Sequence, residues 1–188
     1  VVLIDGAGQD AGPRVTTIPL AENQYKITEQ FDYASGSFER FRGVEGSGKH
    51  TRAVFHMRGK FWIVVDKIDT DRPRKIDTLW HWHPDIRVHS KDNRIVTGES
   101  DKGNLSIIPV GETSWKIDEI KGQEKPSPQG WYSEKYNIAE RSTASIYSTD
   151  IGKSSSFVWI LQPSAGEGTP VKAEILSQDN ESIKLRIE

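Results

Sequence analysis

Hydrophobic and polar positions alternate over short runs along most of this chain. Runs at 51–58, 60–68 and 75–83 stand back to back in the middle. Shorter ones follow at 86–89, 94–97, 104–110, 114–120, 144–148 and 156–161, with a last pair at 171–176 and 182–187 around Asp179-Asn180. Before the centre, 1–5, 14–20 and 24–31 also read as strands, and Gly12-Pro13 punctuates a turn. Turn-forming residues separate the runs, at Arg58-Gly59-Lys60, Lys91-Asp92-Asn93, Asp101-Lys102-Gly103 and Gly111-Glu112-Thr113. No apolar stripe of helical period extends for about 12 residues or more. The pattern predicts an all-β chain: one large antiparallel β-sandwich of roughly a dozen strands, with 1–188 as a single domain. Two stretches read as loops, 32–49 with its recurring Gly and Ser, and 122–130 with Pro126 and Pro128.

Alternation assigns faces in the centre. Phe61, Ile63 and Val65 share one side of their strand, and Trp62, Val64 and Asp66 the other. Leu79, His81 and His83 share one side of theirs, opposite Trp80 and Trp82. Four of the five histidines and three of the six tryptophans fall between His50 and Pro84. An aspartate beside several imidazoles suits a metal or proton-transfer site. His50, Asp66 and either His81 or His83 would make a two-imidazole, one-carboxylate set of the kind zinc accepts. The plainer reading is a strand-capping Asp66 and half-buried, hydrogen-bonded sheet histidines, since no compact motif such as HExxH is present. Trp80, Trp82, Trp131, Tyr132 and Tyr136 offer either a sugar-stacking platform or sandwich core. Trp159, inside Phe157–Leu161, reads as core. Arg52, Arg58, Lys60, Arg72 and Arg74 suit carboxylates or sulfates, or a solvated face. Asn180-Glu181-Ser182 matches a glycosylation acceptor, and Gly6-Ala7-Gly8 lacks the following helix of a dinucleotide fingerprint.

Composition narrows the partners. The 188 residues suffice for one sizeable core, and 25 basic against 27 acidic residues give a net charge of −2. With no basic excess, nucleic acid is not expected. Cysteine is absent, which excludes disulfides and zinc-thiolate sites. No run approaches the ~18 apolar residues of a membrane span. There is no signal peptide and no initial Met, so Val1 reads as a point inside a longer protein or a processed form.

Several segments together resemble the C-terminal region of the heparinase II/III-like polysaccharide lyases. They are Val2-Leu3-Ile4-Asp5-Gly6-Ala7-Gly8-Gln9, His50-Thr51-Arg52 with Phe61-Trp62-Ile63-Val64-Val65-Asp66, Leu79-Trp80-His81-Trp82 and Gly130-Trp131-Tyr132-Ser133. They occur in the family's order from Val2 to about Pro163. The resemblance implies a β-sandwich preceded, in the full protein, by an α-helical toroid that this chain lacks. It implies β-elimination on uronate-containing polysaccharides (heparin or heparan sulfate, alginate or another uronate polymer), in a bacterial periplasmic or secreted enzyme. His50 would be the sandwich's catalytic histidine or a zinc ligand. Asp66 would be a ligand of a structural Zn2+, His81 the third ligand and His83 its substitute. Arg52 would contact a substrate carboxylate or orient Asp66. Trp131, Tyr132 and Tyr136 would edge the cleft. The isolated chain would be inactive without the toroid. Two rivals remain at this point: a non-catalytic carbohydrate-binding module, and a structural domain that binds neither glycan nor metal.

Overall fold

The structure, a computed structural model, describes residues 1–10, 19–92, 94–166, 168–179 and 182–188. The expected strand over 14–18, the Gly12-Pro13 turn, Asn93, and the Asn180-Glu181 part of the last turn and of the glycosylation match lie outside the described residues. In chain order the strands are β1 (Val2–Ile4), β2 (Tyr25–Ile27), β3 (Phe31–Phe38), β4 (Gly48–Met57), β5 (Phe61–Thr70), β6 (Arg74–His81), β7 (Arg87–Lys91) and β8 (Ile95–Glu99). They continue with β9 (Asn104–Val110), β10 (Lys116–Lys121), β11 (Trp131–Tyr132), β12 (Glu140–Arg141), β13 (Thr143–Ile151), β14 (Ser154–Ser164), β15 (Ala173–Gln178) and β16 (Ile183–Ile187).

Two antiparallel sheets make the sandwich. The larger has eight strands in the order β2-β3-β4-β5-β14-β9-β8-β7, the smaller four in the order β1-β6-β13-β10. The all-β, antiparallel expectation is thus met. The central hairpin is β4–β5, closed where Lys60 N–H donates to the Met57 carbonyl (3.0 Å) and Gly59 takes φ +74°. A residue without Cβ reaches that left-handed conformation at little cost.

The large sheet is apolar on both faces, so three layers form. Its inner face carries Val64, Ile68, Ile107, Phe157 and Trp159, which bury against Val2, Ile4, Ile76 and Tyr147 of the small sheet. Its outer face carries Ile108, Val110, Val158 and Ile160, covered by Ile175, Ile183, Leu185 and Ile187 of the β15–β16 hairpin. This double burial explains why Phe157–Leu161 is continuously apolar rather than alternating. Inside the sandwich, Trp80, Trp115, Tyr147, Phe157 and Trp159 pack with ring centroids 4.8 to 5.9 Å apart, mostly edge to face. Trp82 also points inward: its indole N–H donates to Ser145 Oγ (2.9 Å), and a Cβ on Gly98 would lie 2.3 Å from its ring. Trp80 and Trp82 are core residues.

Two expectations fail: the strand read over 24–31 is broken by a turn at 28–30 between β2 and β3, and a stretch read as loop is a strand. The Gly- and Ser-containing stretch 32–38 is strand β3, paired with β4 in the register Asp32–His56, Ala34–Val54, Gly36–Arg52 and Phe38–His50. Its composition resembles a loop, but a neighbouring strand satisfies its backbone groups whatever its side chains. Only the part near 39–47 is a connection.

Candidate functional site

Along β4, His50, Arg52, Val54 and His56 lie on one face, because side chains alternate. That face is the inner one, since Val54 and Phe38 pack against the inner core. Arg52 pairs directly with Asp66 of β5 in the sheet register. Asp66 is fully buried in the middle of the apolar inner face. Such a carboxylate is costly unless its lone pairs are used, and here four N–H groups use them. His50 Nε2 reaches Oδ1 at 2.6 Å, and Arg52 reaches Oδ1 with Nε at 2.7 Å and Oδ2 with Nη2 at 2.9 Å. Trp159 Nε1 reaches Oδ2 at 3.1 Å. Burial pushes the Asp66 carboxyl up, and the hydrogen bonds from His50 and Arg52 outweigh it, so its pKa falls below the usual aspartate value.

This geometry fixes the histidine's tautomer. An ionised carboxylate only accepts, so His50 Nε2 must donate. Nδ1 is then the ring nitrogen that Asp66 does not use. His50 is buried, yet it lines a pocket of about 380 Å³ together with Arg52, Gly36, Ser37, Phe38, Gln9 and the start of β1. Arg52 is 28% exposed at the same mouth. Its guanidinium lies 5.5 Å from the Trp80 ring centroid, so it is held between an indole and a carboxylate. Trp80 Nε1 is buried without a hydrogen-bond partner. A second ion-pair group lies at the start of β6: Arg74 donates to Asp5 (2.8 Å), to Asp71 (3.0 Å) and to the Glu45 carbonyl.

The four candidate metal ligands fall into two pairs. His50 and Asp66 share the inner site. His81 and His83 lie on the other side of the small sheet's β6, because Trp80 and Trp82 occupy its inner side. His81 is exposed and its Nε2 is 3.4 Å from Gln129 Oε1; His83 packs its ring edge to face on Tyr132 at 4.9 Å. Among the described residues no three His, Asp or Glu side chains gather as a metal site. Asp66 moreover has no lone pair left, and Arg52 already supplies the positive charge beside it. As arranged, these residues do not fit a zinc ion. Trp131 and Tyr132 are half-buried, Tyr132 against His83 and the Trp131 indole N–H on the Gln123 carbonyl (2.7 Å), and Tyr136 is 92% exposed.

Sequence reasoning missed three contributors. Trp159 sits in an apolar run that reads only as core, although its N–H helps hold Asp66. Gly36 and Phe38 were hidden in the presumed loop. The alternation His50, Arg52, Val54, His56 was present in the sequence and pointed to β4 as the strand that carries the site.

Residues 16–183 match the family model described as heparinase II/III-like, C-terminal. Among solved structures, a heparan sulfate lyase from Pedobacter heparinus superposes with a TM-score of 0.69 at 16% identity, covering 87% of this chain and 25% of that one. A heparinase III gene product superposes with a TM-score of 0.70 at 13% identity, covering 99% of this chain and 28% of that one. A further heparinase III gives a TM-score of 0.65 at 14% identity. At these identities the structures show a shared fold, and the chain spans about a quarter of their length. No curated protein sequence matches significantly.

Proposed function

The chain belongs to the heparinase II/III-like C-terminal family. We propose that it is the β-sandwich part of a polysaccharide lyase that cleaves uronate-containing glycans of the heparan sulfate kind by β-elimination. The observation that carries this reading is the His50–Asp66–Arg52 group at the mouth of a pocket, in a chain of this family.

β-Elimination removes the weakly acidic proton at C5 of a uronate and expels the glycosidic oxygen at C4. It needs a base at C5, neutralisation of the uronate carboxylate as negative charge builds up, and a proton for the leaving oxygen. Asp66 holds His50 Nε2, so Nδ1 faces the proton to be moved. Arg52 spends Nε and one Nη2 proton on Asp66, and its remaining N–H groups meet the substrate carboxylate. His50 and Arg52 keep Asp66 ionised, and Asp66 keeps both partners oriented; it acts as a positioning residue. No step passes through a metal. The second wall of the cleft and the remaining acid–base groups come from an α-helical toroid elsewhere in the protein, consistent with the quarter-length match to the lyases. A periplasmic or secreted location suits a polymeric acidic substrate.

The test uses the longer protein that contains this chain, incubated with heparan sulfate and other uronate polymers. The unsaturated uronate product absorbs in the ultraviolet. The expected result is product from the longer protein, a loss of 10²–10⁴-fold in rate with His50→Ala, and none from the 188-residue chain alone. Absence of product on every acidic glycan would sink the assignment.

A further inference from the structure

The inner face of the large sheet is not covered all the way to its β2 edge. Beyond His50 and Arg52 the inner row continues across β3 and β4 through Gly36, Ala34 and Val54 to Asp32 and His56, and then to Trp62 of β5. Gly36 and Ala34 are exposed. A Cβ placed on Gly36 would meet nothing within 4 Å. The floor there is flat and open, and it adjoins the pocket that Gly36 shares with His50 and Arg52.

The far end of this floor is furnished. The His56 ring stacks on Trp62 with centroids 4.6 Å apart and planes 10° from parallel. Asp32 accepts from Arg58 Nε (3.0 Å) and Nη2 (2.6 Å), and its Oδ2 lies 3.5 Å from His56 Nδ1. The Arg58 side chain is 45% exposed. His56 lies six positions along the strand from His50, a span of about 20 Å at ~3.3 Å per residue. The trough therefore has a guanidinium at each end, Arg52 paired with Asp66 and Arg58 paired with Asp32, and at the far end a face-to-face imidazole–indole pair whose outer ring face is the one left to a sugar.

Building on the lyase reading above, we propose that this trough binds the glycan several sugar units away from the scissile bond, with the His56–Trp62 pair as a stacking subsite and Arg58 receiving a carboxylate or sulfate of the chain. The occupant is a linear, anionic oligosaccharide. The openness over Gly36 lets the chain lie against the sheet, and the guanidinium N–H groups that Asp66 and Asp32 leave unused are the donors for its carboxylates and sulfates. The subsite makes affinity depend on chain length.

The test is a nuclear magnetic resonance titration of the ¹⁵N-labelled chain with two probes, a heparan sulfate decasaccharide and a disaccharide from the same polymer. The decasaccharide is expected to shift the Trp62 indole N–H and the Ala34 and Gly36 amides, and the disaccharide to leave Trp62 unmoved. Gly36→Phe places a ring on a floor where a Cβ would meet nothing within 4 Å; it is expected to keep the thermal melt and weaken decasaccharide binding at least tenfold, and Trp62→Ala to weaken it less. The proposal falls if the decasaccharide moves none of these signals, moves only those around Trp131–Tyr136, or binds the Gly36→Phe variant as tightly as the parent. Shifts in the trough with no lyase product from the longer protein would overturn the lyase reading and leave the trough standing. Product without trough shifts would do the reverse.

Discussion

Two clusters of the same side-chain types occur in this molecule, and they behave as opposites. The inner cluster places His50, Arg52 and Asp66 under Trp80 and Trp159, with four short hydrogen bonds on one buried carboxylate. The outer cluster places His81 and His83 beside Gln129, Tyr132 and Asp85. Its contacts are long, at 3.4 Å from His81 to Gln129 and 3.4 Å from His83 to Asp85, and both histidines are exposed. An imidazole next to a carboxylate is therefore not yet a site. What distinguishes the inner cluster is burial that forces every partner into place, together with an opening onto a pocket.

The sharpest way to break that contrast is to remove the buried carboxylate. Asp66→Ala leaves the half-buried Arg52 charge and the buried Trp159 N–H without an acceptor. Deleting one member of a buried ionic group costs about 3–5 kcal/mol. Chemical denaturation should show a loss of that order; a loss below about 1 kcal/mol would mean that water reaches the network and that Asp66 does not organise it.

Acid should separate the regions next. The Asp66 pKa is lowered on folding, because the hydrogen bonds from His50 and Arg52 more than offset the burial that raises it. A depressed folded pKa contributes stability that is fully present above the unfolded aspartate value of about 3.9 and is lost as pH falls through the lower folded value. Asp66→Asn should therefore be less stable than the parent at neutral pH, and the gap should narrow as pH drops below about 4. Paired melts from pH 7 to pH 2 check this. A constant gap would mean that the carboxylate is not ionised in the native state.

Much of this was legible in advance. The hairpin β4–β5, its glycine turn and the facing of Asp66 opposite Val65 follow from period-two alternation alone. The grouping of His81 with His50 did not follow, and the reason is physical. Alternation says that His81 and Trp80 are opposed, but not which of them points inward. Burial decides it: two indoles two residues apart carry far more apolar surface than two imidazoles, so Trp80 and Trp82 take the interior. Strand β3 was illegible for another reason. Ser35-Gly36-Ser37 has the composition of a loop, and its strand conformation comes from pairing with β4, which is a tertiary fact. The open floor over Gly36 was lost with it.

The weakest expected effects belong to the outer cluster, and they sharpen the comparison by being small. His81→Ala and His83→Ala each remove an exposed ring whose contacts are near or beyond good hydrogen-bond length. Surface substitutions of this kind change stability by less than about 0.5 kcal/mol. If Asp66 is saturated by N–H donors, purified protein should carry no stoichiometric zinc, and neither substitution should alter its metal content in elemental analysis. The opposite result is equally informative. Stoichiometric zinc that disappears with both Asp66→Ala and His81→Ala would require β6 to turn its histidine inward and Arg52 to release the carboxylate. The two clusters would then be one site in the metal-bound state, and the tautomer assigned to His50 would have to be abandoned with it.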